Sequence, residues 1–245
     1  MTLSVTILGC SGTYAGPGGA CSGYLVQSPS TNLWIDCGAG TFANLQRHID
    51  LADLHGIVCS HSHPDHWLEL PVAVNALRYG VGRPNAGIPL VWTAATAELF
   101  GAVSGRPPEP TFASRVVDET ARVTIGDIDV SFSRTDHPVE TLAVRADHDG
   151  HAIAYTADTG NDWSLSSLGS GIDIALVEAT LDDPTPGIQH LTGSQAGSQA
   201  QQAGVATLVL THLAPGSDPE ARSAEAATAF DGPIAVAEID RTYTT

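Results

Sequence analysis

The chain has 245 residues, 42% of them hydrophobic, enough for one large domain with a substantial core. It carries 27 acidic residues against 10 basic ones, a formal net charge of -17, and every basic residue is an arginine, scattered along a sequence that has no lysine. That balance argues against long nucleic acids and anionic membranes as partners, because a phosphate surface is gripped by clustered cations, and the longest apolar runs fall short of the roughly 20 residues of a membrane span.

The opening LSVTILG alternates and is rich in branched residues, so it reads as a strand running into the glycine-rich loop GCSGTYAGPGGACSG. It lacks the basic and apolar segments of an export signal, and a cytoplasmic location is the expectation. Cys10, Cys21, Cys37 and Cys59 show no CxxC spacing and read as reduced, small, buried side chains. YLVQS and NLWIDCG form a predicted hairpin joined by PST, TFANLQRHI a helix, and GIVCS a short buried strand. WLELPVAVNALRYG has helical spacing, with Pro71 its one awkward residue.

Beyond it, IPLVWTA reads as a strand, ATAELFGAVSG as a helix and RPPEPTF as a loop. IDVSFSRTDH, ETLAVRAD and HAIAYTADTG are successive strands, the last two turning at Asp149-Gly150. IDIALVEAT and VATLVLTHL are apolar strands separated by the helical TGSQAGSQAQQAG, and DPEARSAEAATAF followed by PIAVAEI ends the chain as helix then strand. Strands with interspersed helices predict a layered α/β or α+β domain over residues 1–245, two sheets with helices outside.

One stretch stands apart from these structural needs. SHSHPDH places His61, His63, Asp65 and His66 at the end of an apolar strand. Residues two apart in an extended segment project to the same side, so His61 and His63 can reach one metal, while Pro64 turns Asp65 and His66 toward a neighbouring position. Imidazole and carboxylate suit zinc, and also manganese or iron. Four ligands in so short a span allow two ions, whose remaining ligands should sit where other strands end. His137, Asp158 and His212 each follow a strand-like run directly.

With these segments the chain resembles the metallo-β-lactamase superfamily. SHSHPDH matches its HxHxDH signature, and DH at His137, ADTG at Asp158 and THL at His212 match its later ligands in order. The resemblance implies an α+β, αββα sandwich, with two mixed sheets packed face to face and helices on both outer sides. It implies that His61, His63 and His137 hold one metal, that Asp65, His66 and His212 hold the second, that Asp158 bridges both, and that Asp36 of WIDCG supports the metal loop.

VEAT and the segment from His190 to Pro215 are similar to the ribonuclease Z branch and its small phosphodiesterase relatives, in which a histidine at the position of His190 stabilises the phosphate in the transition state. HLT stands where ribonucleases have HST, and Ala157 replaces the glycine of GDT. No Lys/Arg-rich insertion matches the arm that clamps transfer RNA. LGCSG and AFDGP resemble small members that hydrolyse cyclic nucleotides.

The expectation is therefore a dinuclear hydrolase of a small phosphodiester such as a cyclic nucleotide, with zinc, manganese or iron generating a bridging hydroxide, and with Asp65 and His190 as catalytic groups. Thioester, lactone or sulfate-ester hydrolysis on the same fold, and ribonuclease Z-like RNA processing, are the alternatives. The branch also allows a homodimer, with PVAVNALRYGVG supplying part of the interface.

The remaining residues have plainer roles. His48, His55, His148 and His151 read as surface or turn residues, and Trp67 as packing under the metal loop. Glu178 ends a strand near the site, with support of a catalytic group and a purely structural role both open. The glycine-rich loop lacks the GK[ST] of a phosphate-binding loop and reads as a tight rim, with glycine for backbone freedom. Residues 12–22, 78–90 and 213–222 are the loops expected to choose the substrate.

Overall fold

Alternation along each strand sends neighbouring side chains to opposite faces of a sheet, and here both faces are apolar. In β1 (Ser4–Gly9), Val5 and Ile7 point into one core cluster and Leu8 into another. In β3 (Asn32–Ile35), Leu33 and Ile35 join the first cluster and Trp34 the second. Strands apolar on both faces must be covered on both, and that requirement produces the layers. The structure is a computed structural model that describes residues 2–80 and 87–245.

The first sheet runs in the order β14-β1-β2-β3-β4-β5-β6. It adds β2 (Gly23–Gln27), β4 (Gly56–Val58), β5 (Ile88–Trp92), β6 (Phe112–Val116) and β14 (Thr242–Thr244) to the two strands above. The second runs β13-β12-β11-β10-β9-β8-β7. Its strands are β7 (Arg122–Ile125), β8 (Ile128–Arg134), β9 (Leu142–His148), β10 (His151–Tyr155), β11 (Ile174–Glu178), β12 (Thr207–Thr211) and β13 (Ile234–Val236). Both sheets are mixed, antiparallel at one side and parallel at the other.

The central cluster lies between the sheets, where Tyr24, Val26 and Val58 meet Phe132, Val144, Ile153 and Val209. Outside the first sheet, Trp34, Ile57 and Leu90 pack with residues of α1 (Thr41–Leu45), α2 (Leu70–Tyr79) and α3 (Ala94–Ser104). Outside the second, Ala154, Val177 and Leu210 pack with residues of α4 (Gly193–Ala203) and α5 (Pro219–Ala226). The fold is thus the expected αββα sandwich. Among the described residues, no helix is long and apolar enough to cross a membrane.

Most predicted elements appear with small changes of boundary. Pro71 is accommodated because α2 begins at Leu70, so the proline falls in the first turn, where a missing N–H costs no intrahelical bond. The helix predicted for TFANLQRHI is shorter, closing at Leu45 and continuing as a turn. β6, β7 and β14 were not expected. All lie at sheet edges and are largely exposed, so they carry little apolar alternation. Residues 81–86 of the predicted specificity loop 78–90, and with them the last two residues of PVAVNALRYGVG, lie outside the described residues. The four cysteines are free, with Cys10 partly exposed.

Candidate metal centre

β8 and β10 flank the antiparallel β9, so they run in the same direction, and β10, β11 and β12 are parallel neighbours. Their C-terminal ends therefore meet one edge of the sandwich, where His137, Asp158, Glu178 and His212 emerge. The loop after β4 delivers His61, His63, Asp65 and His66 to the same edge. All seven expected ligands converge there: one oxygen or nitrogen atom from each of His61, His63, His137 and Asp158 lies within 4.8 Å of the others, and Asp65, His66 and His212 form a second such group.

Asp158 stands between the groups. Its Oδ2 lies 3.5 Å from His61 Nε2 and 3.7 Å from His137 Nε2, while Oδ1 lies 3.4 Å from His66 Nε2 and 3.3 Å from His212 Nε2. His63 presents Nδ1, 3.1 Å from His137 Nε2. His212 Nε2 is 3.3 Å from Asp65 Oδ2. Buried His61 Nε2 and Asp158 Oδ1 lack a hydrogen-bond partner, which in an apolar interior is costly unless a cation completes them. The donor set of imidazoles and carboxylates fits a divalent metal.

The protonation of His61, His137 and Asp158 agrees with that fit, while His66, beside two carboxylates, is held as a cation that an ion would have to displace. Burial, aided by the charge of His66, lowers the His61 ring to about 4, against the opposing pull of Asp158. Burial likewise lowers His137 to about 4, so both rings offer a lone pair at neutral pH. Burial works against a charge on Asp158, yet the surrounding His212, His66 and His61 hold its carboxyl well below the usual range. His66 is also disfavoured as a cation by burial, but Asp158 and Asp36 outweigh this and raise it well above an ordinary histidine.

Three of the candidate ligand rings, those of His66, His137 and His212, are fixed by what their other nitrogen touches. His66 Nδ1 lies 2.7 Å from Asp36 Oδ2, and Asp36 in turn accepts from Ser60 N, Ser60 Oγ and the Tyr155 hydroxyl. His137 Nδ1 donates to the Gln189 carbonyl at 3.2 Å. His212 Nδ1 is 2.9 Å from Thr180 Oγ1, which donates to Glu178 Oε2 at 2.7 Å. Asp36 and His212, both just past strand ends, adopt positive φ of 56° and 55°. Such backbone costs on the order of 1 kcal/mol or more and persists where surrounding structure imposes it.

Glu178 is fully buried and central rather than merely nearby. It accepts from Thr159 N and Leu191 N and lies 2.8 Å from His190 Nδ1. Burial disfavours a charge on His190, but the hydrogen bond and negative charge of Glu178 prevail and raise it to about 9. Both ring nitrogens then carry protons near neutrality. His190 also forms a close group with Asp158 and His212.

The glycine-rich loop packs directly on the centre. Thr13 N donates to Asp65 Oδ2 at 2.9 Å. A Cβ on Gly12 would fall 2.6 Å from the His212 carbonyl oxygen, and one on Gly38 would fall 2.0 Å from that of Asp65. Gly12 of the loop and Gly38 outside it thus serve close approach, while Gly18, with a φ of 76°, shows the backbone freedom expected of the loop. Trp67 is buried under the metal loop and donates to the Ser62 carbonyl. His48, His148 and His151 pair with Asp240, Asp127 and Asp173, and His55 accepts from Asn32 N, all away from the centre. Ser60, Tyr155 and Thr180 escaped the sequence reading. Of these Ser60 and Thr180 lay within quoted motifs, as the first residue of SHSHPDH and the last of VEAT, and Tyr155 carried no signal.

A domain-family model described as a beta-lactamase superfamily domain matches residues 31–213. The chain is 37% identical to the uncharacterized protein Rv1339 of Mycobacterium tuberculosis, an alignment covering 99% of this chain and 92% of that one. It is 28% identical to the probable metallo-hydrolase YhfI of Bacillus subtilis, covering 96% and 97%. The crystal structure of YhfI, a metallo-beta-lactamase fold protein, superposes with a TM-score of 0.89 at 26% identity, covering 100% of this chain and 99% of that one. A ribonuclease Z of Mycobacterium bovis is 29% identical, covering 96% and 95%.

Proposed function

From the premise that this chain belongs to the beta-lactamase superfamily, we propose that it is a dinuclear metal-dependent phosphodiesterase acting on a small phosphodiester, with a cyclic nucleotide the leading candidate. The observation that carries this reading is the division of Asp158, one carboxylate oxygen toward His61 and His137 and the other toward His66 and His212. His61, His63 and His137 would hold one ion, Asp65, His66 and His212 the second, and Asp158 both. Zinc is the first choice for this donor set, with manganese or iron accepted by the same atoms. Bound there, such ions supply an activated water and neutralise phosphate charge.

The protein's own groups do the rest. Asp36 and Thr180 lock the His66 and His212 rings so that each Nε2 faces inward. Asp65, held by the Thr13 amide, can orient a water as well as bind an ion. Glu178 engages His190 Nδ1, which leaves Nε2 as the donor directed at charge developing on the phosphate. The ribonuclease Z relative supports a phosphodiester as the bond cleaved. The net charge of -17 and the lack of lysine support a small substrate over transfer RNA.

The test is hydrolysis of bis(p-nitrophenyl) phosphate by protein loaded with zinc or manganese, with His137→Ala as the control. Turnover that disappears in the variant is expected. A fully metallated protein without turnover would overturn the reading in favour of a thioester, lactone or sulfate ester.

A further inference from the structure

A cavity of about 330 Å³ adjoins the centre, bounded by the loop after Asp158 and the loop that leads into His190. This volume lies within the range of small-molecule sites, roughly 300–1,000 Å³. It opens onto the chemistry at His190, which lines it and groups with Asp158 and His212. Gln189, also in its wall, is tied through its carbonyl to His137.

The lining has a definite chemical character. Asp136, Asp162, Asn161 and Gln189 supply polar groups, Ile188 and neighbouring prolines supply apolar surface, and no arginine contributes. The start of α4 reaches the cavity at Gln195, where Thr192 and Gln195 cap each other, so the amides of these two residues are already engaged and do not serve an anion. A second phosphate or a carboxylate would face Asp136 and Asp162, and the cationic ring in the wall, His190, is already engaged by Glu178. A group rich in hydroxyls would find acceptors on Asp136, Asn161, Asp162 and Gln189 and apolar surface on Ile188 and the prolines.

We propose that this cavity receives a neutral, hydroxyl-bearing arm of the substrate, a sugar or other polyol attached to the phosphate at the metal centre. This inference rests on the phosphodiesterase reading for its setting, and it narrows the substrate to esters with no charge beyond the phosphodiester itself on that arm.

Three p-nitrophenyl phosphodiesters that share a leaving group and differ in the second arm provide the test: methyl, 2,3-dihydroxypropyl and 2-carboxyethyl. Dissociation constants measured by calorimetry on the zinc-loaded protein are expected to favour the dihydroxypropyl ester over the methyl ester by about five- to tenfold, the worth of one or two added hydrogen bonds, with the carboxyethyl ester weakest. Asp162→Asn, at an exposed position, should shrink the dihydroxypropyl advantage and relieve the penalty on the carboxylate. Equal binding of all three, or preference for the carboxyethyl arm, would overturn the inference. Turnover of the same esters by the zinc- or manganese-loaded enzyme separates the two readings: a dihydroxypropyl preference in binding without any cleavage supports the cavity's role and counts against the phosphodiesterase.

Discussion

The two halves of the centre are built in opposite ways. His61, His63, Asp65 and His66 come from one segment whose local geometry is set by β4, Pro64 and a single short turn. His137, Asp158 and His212 come from the ends of three strands, and only the pairing of β8 through β12 brings them together. The first half is a motif and the second is a consequence of topology. Asp158 joins them, so the two halves should fail differently when perturbed.

The largest effect is expected at that joint. Asp158→Ala should remove both ions together and reduce turnover by more than the roughly 100-fold brought by losing a residue behind the ligands. Metal analysis by mass spectrometry, run beside His137→Ala, sharpens the contrast: two ions lost in the first protein and one in the second. Equal stoichiometry in both variants would break the picture of a shared ligand.

His190→Ala comes next. Its ring belongs to the dispersed half but is held by Glu178, so kcat should fall roughly 100- to 1,000-fold with metal content unchanged. Loss of an ion in this variant would recast His190 as a ligand. Asp36→Asn probes the support of the compact half, and metal affinity should drop about 10- to 100-fold, read by competition with a chelating dye. An unchanged affinity would mean that Ser60 and Tyr155 suffice to hold the loop.

The smallest effect is expected at the far ends of the same strands. There Asp127, in the β7–β8 turn, accepts hydrogen bonds from Ser28, Ser30 and Thr31 in the β2–β3 turn, clipping one sheet to the other. Those hydroxyls hold its carboxyl below the usual range. A depressed folded value contributes stability above the unfolded value, about pH 3.9, that is lost as pH falls through the folded one. Because Asp127 is exposed, Asp127→Asn should lower Tm by only about 1–2 °C at neutral pH. The gap between variant and parent should close in acid, with metal content untouched throughout.

Legibility followed the same division. Elements with two buried faces, such as β1, β3, β11 and β12, could be read from apolar runs. Edge strands β6, β7 and β14 could not, since they are stabilised by backbone pairing with a neighbour more than by their own side chains. Within the centre, every ligand type was visible because histidine and aspartate at a strand end are conspicuous. The residues that fix those ligands were not. Tyr155 reads as an ordinary aromatic of a buried strand, and its hydroxyl matters only because Asp36 lies opposite it in the other sheet.

The sequence by itself determined the layers, the position of the compact histidine-rich segment and the candidate ligands, because each of these depends on local spacing and on which side chains must leave water. Only the tertiary structure decided which oxygen of Asp158 faces which group, that Glu178 holds His190, and that a polar cavity lined by Asp136 and Asp162 lies beside it. Those features join residues from separate strands and loops, and their distances are set by sheet pairing and core packing, which no local stretch of the chain encodes.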